Sequence, residues 1–313
     1  MPLVPLWWAG TAVKNALYDA GLLRVRKLDT PVISVGSLSA GGAGKTPVVL
    51  MLARLLQAGG ITADVLSRGY GRSSGVAEEV DPAGIVTRFG DEPVEMARTG
   101  LRVFVGAERF EAGELAEAKG EAQVHLLDDG FQHRRLARSL NVVLLTRADV
   151  EDVLLPAGNL RENLSSLKRA DVLIVREEDV AGLKAYCAGE VWVIRRRLVF
   201  SAAGPIQPLA FCGVARPEGF FTMLEEAGCE LAGQVVFADH YAYSDEDFAK
   251  LVETARQEGA DGFVTTAKDS VKISDGARRR LEAVGPVCIA QLRAELLDPA
   301  QAFRRMQRIT SGE

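Results

Sequence analysis

The chain of 313 residues is short of histidine, cysteine and aromatic side chains. Its three histidines and four cysteines, Cys187, Cys212, Cys229 and Cys288, form no C-x-x-C pair and no ligand spacing for a structural zinc ion. The same scattered thiols give no disulfide framework and read as reduced cysteines of a cytosolic protein. No apolar run reaches the roughly 18–20 residues that a membrane-spanning helix needs. Positive charge is not in excess either. A formal net charge of −5 lacks the broad basic footprint of a nucleic-acid binder. Internal repeats and low-complexity tracts are absent. What remains is ordinary globular material, 48% hydrophobic and 25% charged, which excludes a wholly disordered chain. At about 150 residues per domain the length suggests two domains. The 31 glycines gather in a few short clusters, and those clusters carry most of the chemistry.

Residues 31–35 read as a buried strand, followed by a glycine-rich loop and the segment TPVVLMLARLLQAGG. There Val49, Leu52, Ala53 and Leu56 recur at helical spacing, and Gly59 and Gly60 end the helix. The segment ITADVL then supplies a second strand, which makes a βαβ unit. Further apolar runs at 101–105, 124–127, 142–145 and 172–175 alternate with helical or polar stretches. The pattern predicts an α/β fold with a doubly wound, mostly parallel sheet. Residues 191–200 read as a strand with a charged middle, and a second, smaller α/β unit begins near Pro208. In that unit Ser244 and Asp247 have the spacing of a capping box.

The strongest chemical signal is Ser39-Ala40-Gly41-Gly42-Ala43-Gly44-Lys45-Thr46, placed between a strand and a helix. Small residues let backbone N–H groups converge on phosphate oxygens, and the helix N-terminus adds a favourable dipole. Lys45 can reach the outer phosphates of ATP, and the Thr46 hydroxyl can ligate Mg²⁺. Ser39 stands where the usual pattern begins with glycine. Asp128 and Asp129 lie just past an apolar strand, where ligands of doubly wound sheets collect. They suit a magnesium ion, and the plainer alternative is an Asp-Gly turn. Asp91 opens a helix in Gly90-Asp91-Glu92-Pro93, as N-cap or as general base. Arg68 follows a strand, as a phosphate clamp or as a solvated residue of a glycine turn. His240 ends a strand of the second unit. Residues 143–149, VLLTRAD, loosely echo a guanine-reading motif and support an alternative, a P-loop GTPase switch or metallochaperone.

The first 28 residues carry Trp7, Trp8 and four cationic side chains against the single carboxylate of Asp19. From Leu6 on the pattern is amphipathic. Thr11, Lys14, Asn15, Tyr18 and Asp19 gather on one side, and Leu6, Ala9, Val13, Ala16, Leu17 and Leu23 lie mostly on the other. Such a helix fits a bilayer interface or a seat on the core.

Together SVGSLSAGGAGKTP, SRGYG, GDEP, LDDGFQH, LPAGNLRE, Phe220-Phe221 after Gly213, FADH and TAKDSVK resemble the tetraacyldisaccharide 4'-kinase family over roughly residues 1–295. Ala267 departs from the family's usual Glu. The resemblance implies a P-loop NTPase-type fold with two α/β/α domains joined by a two-stranded linker. The implied boundaries are an interfacial helix at 1–28, a kinase domain at 29–190, a linker strand at 191–205, a smaller domain at 206–285, and a return strand with a C-terminal helix at 286–313. It implies ATP-dependent phosphorylation of the 4'-hydroxyl of a tetraacylated glucosamine disaccharide 1-phosphate in lipid A biosynthesis, with ATP and Mg²⁺. Asp91 would be the base and His240 its partner. Lys45 and Thr46 would serve the phosphates and the ion, and Asp128, Asp129 and Glu162 the metal region. Arg68, Glu92, Gln132, His133 and Arg161, in or beside these motifs, are candidate phosphate or substrate contacts. The implied partners are the lipid substrate and, through residues 1–28, the cytoplasmic face of the inner membrane.

Overall fold

The computed structural model describes residues 3–186, 189–202 and 204–312, so Cys187 lies outside the described residues. Its strands are β1 (Val32–Ser37), β2 (Ala63–Ser67), β3 (Glu78–Glu79), β4 (Val103–Val105), β5 (Val124–Asp128), β6 (Leu140–Leu144), β7 (Val172–Arg176), β8 (Glu190–Phe200), β9 (Leu209–Cys212), β10 (Gly233–Val236), β11 (Phe263–Thr266) and β12 (Val287–Leu296). They form one 12-stranded sheet in the order β10-β9-β11-β12-β8-β7-β6-β1-β5-β2-β4-β3. Pairing is parallel except at β3–β4 and β8–β12. The expected α/β class and mostly parallel sheet are therefore present, with strand ends within about two residues of the sequence reading.

The central strands are buried on both faces, as continuous apolar runs of parallel sheets are. All six residues of β1 are buried. The helix Lys45–Ala58 lays Val48, Val49, Leu52 and Leu56 on one face, against Ile33, Val35 and Leu126. On the opposite face, Ala112 and Ala116 of the helix Arg109–Lys119 pack on Leu66, Phe104 and Leu127. The smaller unit repeats the plan. Leu209, Phe211 and Phe263 face one core, and Ala210, Cys212 and Val264 face another.

Strands β8 and β12 carry the sheet from one unit to the next. The first half of β8 pairs with β7, and residues 194–200 run antiparallel to β12. The charged middle expected there is exposed at Arg195 and Arg197, which pair with Glu177 and Glu295.

The N-terminal helix Leu3–Asp19 turns its polar side inward. Lys14 Nζ donates to the Gln132 carbonyl at 3.4 Å, Asn15 Nδ2 to Glu162 Oε2 at 2.8 Å, and Tyr18 is buried beneath the Arg134 guanidinium. Trp8 and Val13 face outward, 50% and 59% exposed. The side chain of Leu6 lies outside what is described.

Topology places the reactive residues. Val35 of β1 is level with Asp128 of β5, so the turn after β5 lies beside the loop after β1. Gly36 permits this approach, because a Cβ there would sit 2.6 Å from Phe131 Cβ and 2.8 Å from Phe131 N. Gly36→Ala is expected to destabilise the fold by roughly 1–3 kcal/mol, the range for an overpacked core, in urea unfolding. An unchanged midpoint would show that the turn can retreat without strain.

Candidate active site

The phosphate loop is held open by its backbone. Gly41, Gly42 and Gly44 take left-handed φ values of 74°, 67° and 89°. Gly44 caps the helix Lys45–Ala58 without a side-chain hydrogen bond, so the first N–H groups of the helix are free for an anion. Ser39 is not among the residues with positive φ, so nothing there demands glycine. Its carbonyl instead accepts from Arg161 Nη2 at 2.8 Å and Ser37 Oγ at 3.0 Å. Lys45 Nζ lies 3.4 Å from both Ser37 Oγ and Asp129 Oδ1.

The two adjacent aspartates have opposite environments. Asp128 is buried, with Oδ2 accepting from Ser67 Oγ at 3.0 Å and Oδ1 lacking any partner. Burial, aided by Glu92 and Asp129, pushes its carboxyl up to about 7. Burial acts on Asp129 in the same direction, but Lys45 and Arg161 outweigh it and hold that carboxyl well below the usual range. Arg161 grips Asp129 with two bonds, at 2.7 and 2.8 Å. Thr46 and the orphaned Asp128 Oδ1 are hard oxygen donors of the kind Mg²⁺ prefers, and that ion needs only one or two protein oxygens beside water and phosphate. No group of three or more candidate metal-ligating side chains converges among the described residues. The structure does not bring Glu162 to this pair. Its carboxylate is buried against Asn15 and Arg169, because the inward polar face of the N-terminal helix claims it.

Across the cavity, Asp91 meets His240. Gly90 is the N-cap of the helix Asp91–Ala97, so Asp91 is its first residue, and Asp91 Oδ1 accepts from the first-turn Glu92 N–H at 3.0 Å while both oxygens remain within reach of His240. His240 Nδ1 lies 2.9 and 3.1 Å from the two Asp91 oxygens. His240 itself is held at a left-handed φ of 59°, with its ring 5.1 Å from that of Tyr70. In the neutral ring, Nδ1–H donates to Asp91 and Nε2 accepts from Lys268 Nζ at 3.2 Å. Lys268 also contacts Asp239 at 3.0 Å and Glu92 at 3.5 Å, and Lys272 lies 3.6 Å from Asp91. Burial would raise the Asp91 carboxyl, but His240, Lys268 and Lys272 hold it below the ordinary value.

The phosphate loop and His240 open onto one cavity of about 320 Å³. The phosphate loop from Gly41 to Thr46 lines one side, and Glu92, His240 and Lys268 line another. Of the remaining candidates, Gln132 Nε2 is spent on the Ser37 carbonyl at 3.0 Å. Burial and the charges of Arg109 and Arg138 push His133 down to about 3. Arg68 is exposed. The guanine-reading echo is a local capping box, in which Asp149 Oδ2 accepts from Thr146 N at 2.8 Å. That carboxylate is buried, with Oδ2 taken by Thr146, which weakens the feature on which the GTPase alternative stood.

A sequence model of the tetraacyldisaccharide-1-P 4'-kinase family matches residues 1–311. The chain belongs to that family. It is 40% identical over 318 residues to the tetraacyldisaccharide 4'-kinase of Koribacter versatilis, covering 98% of each chain. It is 39% identical over 310 residues to that of Geobacter metallireducens, covering 90% and 89%. The crystal structure of "apo" form LpxK from Aquifex aeolicus in complex with ATP superposes with a TM-score of 0.81 at 32% identity, over 99% of this chain and 98% of that one. These matches support the P-loop NTPase-type reading of the fold.

Relative to the family pattern, the sequence reading left Lys268 and Lys272 without a role, although both stand in TAKDSVK. Their signal was spacing. Four residues apart, they reach the same carboxylate. Glu95 also lines the cavity, and burial with Glu92 pushes its carboxyl up to about 8. No local pattern marks that residue. The Asp91 hydrogen bond raises the His240 pKa above 6.5, with burial opposing it. A raised folded value stabilises the protein fully below the ordinary imidazole pKa, and that stability is lost as pH climbs through the folded value. His240→Gln should therefore lower the melting temperature more at pH 6 than at pH 9. An equal loss at both would mean that the ring acts only by packing.

Proposed function

We propose that this family member transfers the γ-phosphoryl group of ATP to the 4'-hydroxyl of a tetraacylated glucosamine disaccharide 1-phosphate, a step of lipid A biosynthesis. The observation that carries this reading is the shared cavity. A phosphate-binding loop and the His240 imidazole, which is bonded to Asp91, face the same space from two parts of the sheet.

The site residues take the following roles in this reading. The loop amides and Lys45 bind the β- and γ-phosphates. The 4'-oxygen attacks the γ-phosphorus, and the bond from that phosphorus to the β–γ bridging oxygen breaks, releasing ADP. The proton of the sugar hydroxyl passes to Asp91. His240 keeps Asp91 aimed through Nδ1–H and stabilises the ionised carboxylate. Thr46, Asp128 and Asp129 would hold Mg²⁺, which would supply neutralisation of phosphate charge. Positioning and charge neutralisation supply most of the acceleration, so a weakly basic carboxylate suffices.

The acceptor carries four acyl chains and resides in a bilayer. The N-terminal flank of the chain exposes the apolar Trp8, Val13, Leu22 and Val25 and the basic Arg24, Arg26 and Lys27. Tryptophan beside arginine and lysine suits the headgroup boundary. No helix among the described residues is long and apolar enough to cross a membrane. We place the flank on the cytoplasmic face of the inner membrane.

Asp91→Ala is expected to lower kcat on the order of 10²–10⁴-fold, the range for a lost general base, with ATP affinity little changed. A near-normal kcat with labelled ATP and the lipid acceptor would refute the base assignment. Deleting residues 1–23 should reduce sedimentation with anionic liposomes. Unchanged sedimentation would reject the flank as a membrane contact.

A further inference from the structure

Among the cations that line the cavity, Arg216 is the one set on the phosphate loop, and it has no task in the reaction just described. After β9 ends at Cys212, the chain crosses to the phosphate loop. A Cβ on Gly41 would lie 3.6 Å from Ala215 Cβ, and one on Gly42 would lie 3.0, 3.1 and 3.2 Å from Arg216 Nε, Cγ and Cδ. The absence of a side chain at Gly42 lets Arg216 lie directly on the loop. Arg216 lines the same cavity as Lys45 and Thr46. Among the described residues its guanidinium makes no hydrogen bond and has no carboxylate within ion-pair distance.

The neighbourhood sharpens the point. Arg196 is paired with Glu178 at 3.5 Å, whereas Arg176 and Arg216 repel each other near the loop. The acid that feels Arg216 is Asp152, whose oxygens already accept from Val153 N, Asn159 N and Asn159 Nδ2. A half-buried guanidinium set against a row of N–H donors has nothing negative to answer it. A bound polyphosphate supplies that charge.

We propose that Arg216 is a phosphate-clamping catalytic residue, which reaches from the smaller α/β unit to the triphosphate tail held by the loop. The proposal rests on the ATP reading above. As the bond from the 4'-oxygen to the γ-phosphorus forms and the bond to the β–γ bridging oxygen breaks, charge moves onto the β-phosphate of ADP. The N–H fork of Arg216 spans oxygens of the γ- and β-phosphates and holds that charge without giving up a proton, and the proton of the acceptor goes to Asp91. A guanidinium delivered to a transferring phosphoryl group is worth on the order of 10³ or more in kcat.

The test uses the full chain with Arg216→Ala and Arg216→Lys. In the absence of lipid, inorganic tripolyphosphate should raise the melting temperature of the wild type and do so much less for Arg216→Ala. The preference for ATP over ADP should fall by about tenfold or more, as expected for a lost charge-assisted contact. With lipid, kcat should fall on the order of 10³-fold, and Arg216→Lys should recover binding more than kcat. Unchanged tripolyphosphate stabilisation with kcat within about threefold of wild type overturns the proposal. So does an equal loss of affinity for adenosine, ADP and ATP, which would make Arg216 a packing residue. If the wild type phosphorylates no lipid, the function reading fails, while the tripolyphosphate and ATP-over-ADP comparisons still decide the clamp.

Discussion

The site depends on one contact made across a large sequence separation. Asp91 and His240 are 149 positions apart, yet their side chains meet at 2.9 Å. The strands that precede them stand far apart in a twelve-strand order, and the unbroken sheet through β8 and β12, with the Lys268 and Lys272 contacts to Glu92 and Asp91, fixes their distance. Local forces hold each partner ready. The Glu92 N–H steadies Asp91 Oδ1 at the helix start, and an unusual left-handed backbone at His240 turns its ring toward the carboxylate.

Around that contact the carboxyl groups are sorted by environment. Asp91 and Asp129 are surrounded by cations and stay ionised at neutral pH. Burial and like charge push Asp128 and Glu95 up toward neutrality. A cavity that must admit several phosphate charges thereby carries fewer negative charges than its acidic residues suggest. The cations follow the same economy. Lys45 and Arg161 are committed to Asp129 before any ligand arrives, so the loop is braced without the ligand.

The sequence made the central sheet, the phosphate loop and the acidic strand end readable, because each is written in a short contiguous pattern. The roles that depend on distant partners were not readable. Whether Asp91 caps a helix or faces His240 is decided by Gly90 and by a strand from the other end of the sheet. Periodicity divided the N-terminal helix into two faces but could not say that the polar one packs inward, and that choice is what removes Glu162 from the metal region. Lys268 was visible as a letter in a motif, but its four neighbours come from two separate segments. Ser39 broke the expected pattern at a position where the backbone tolerates a side chain.

The inward polar face of the N-terminal helix bears on the phosphate loop. Trp7 Nε1 donates to the Arg161 carbonyl at 3.2 Å, the Arg161 guanidinium grips Asp129, and Asp129 meets Lys45. Three linked contacts thus join an exposed indole to the ammonium group of the phosphate loop. The helix and the loop thereby share one continuous set of polar contacts that ends at Lys45.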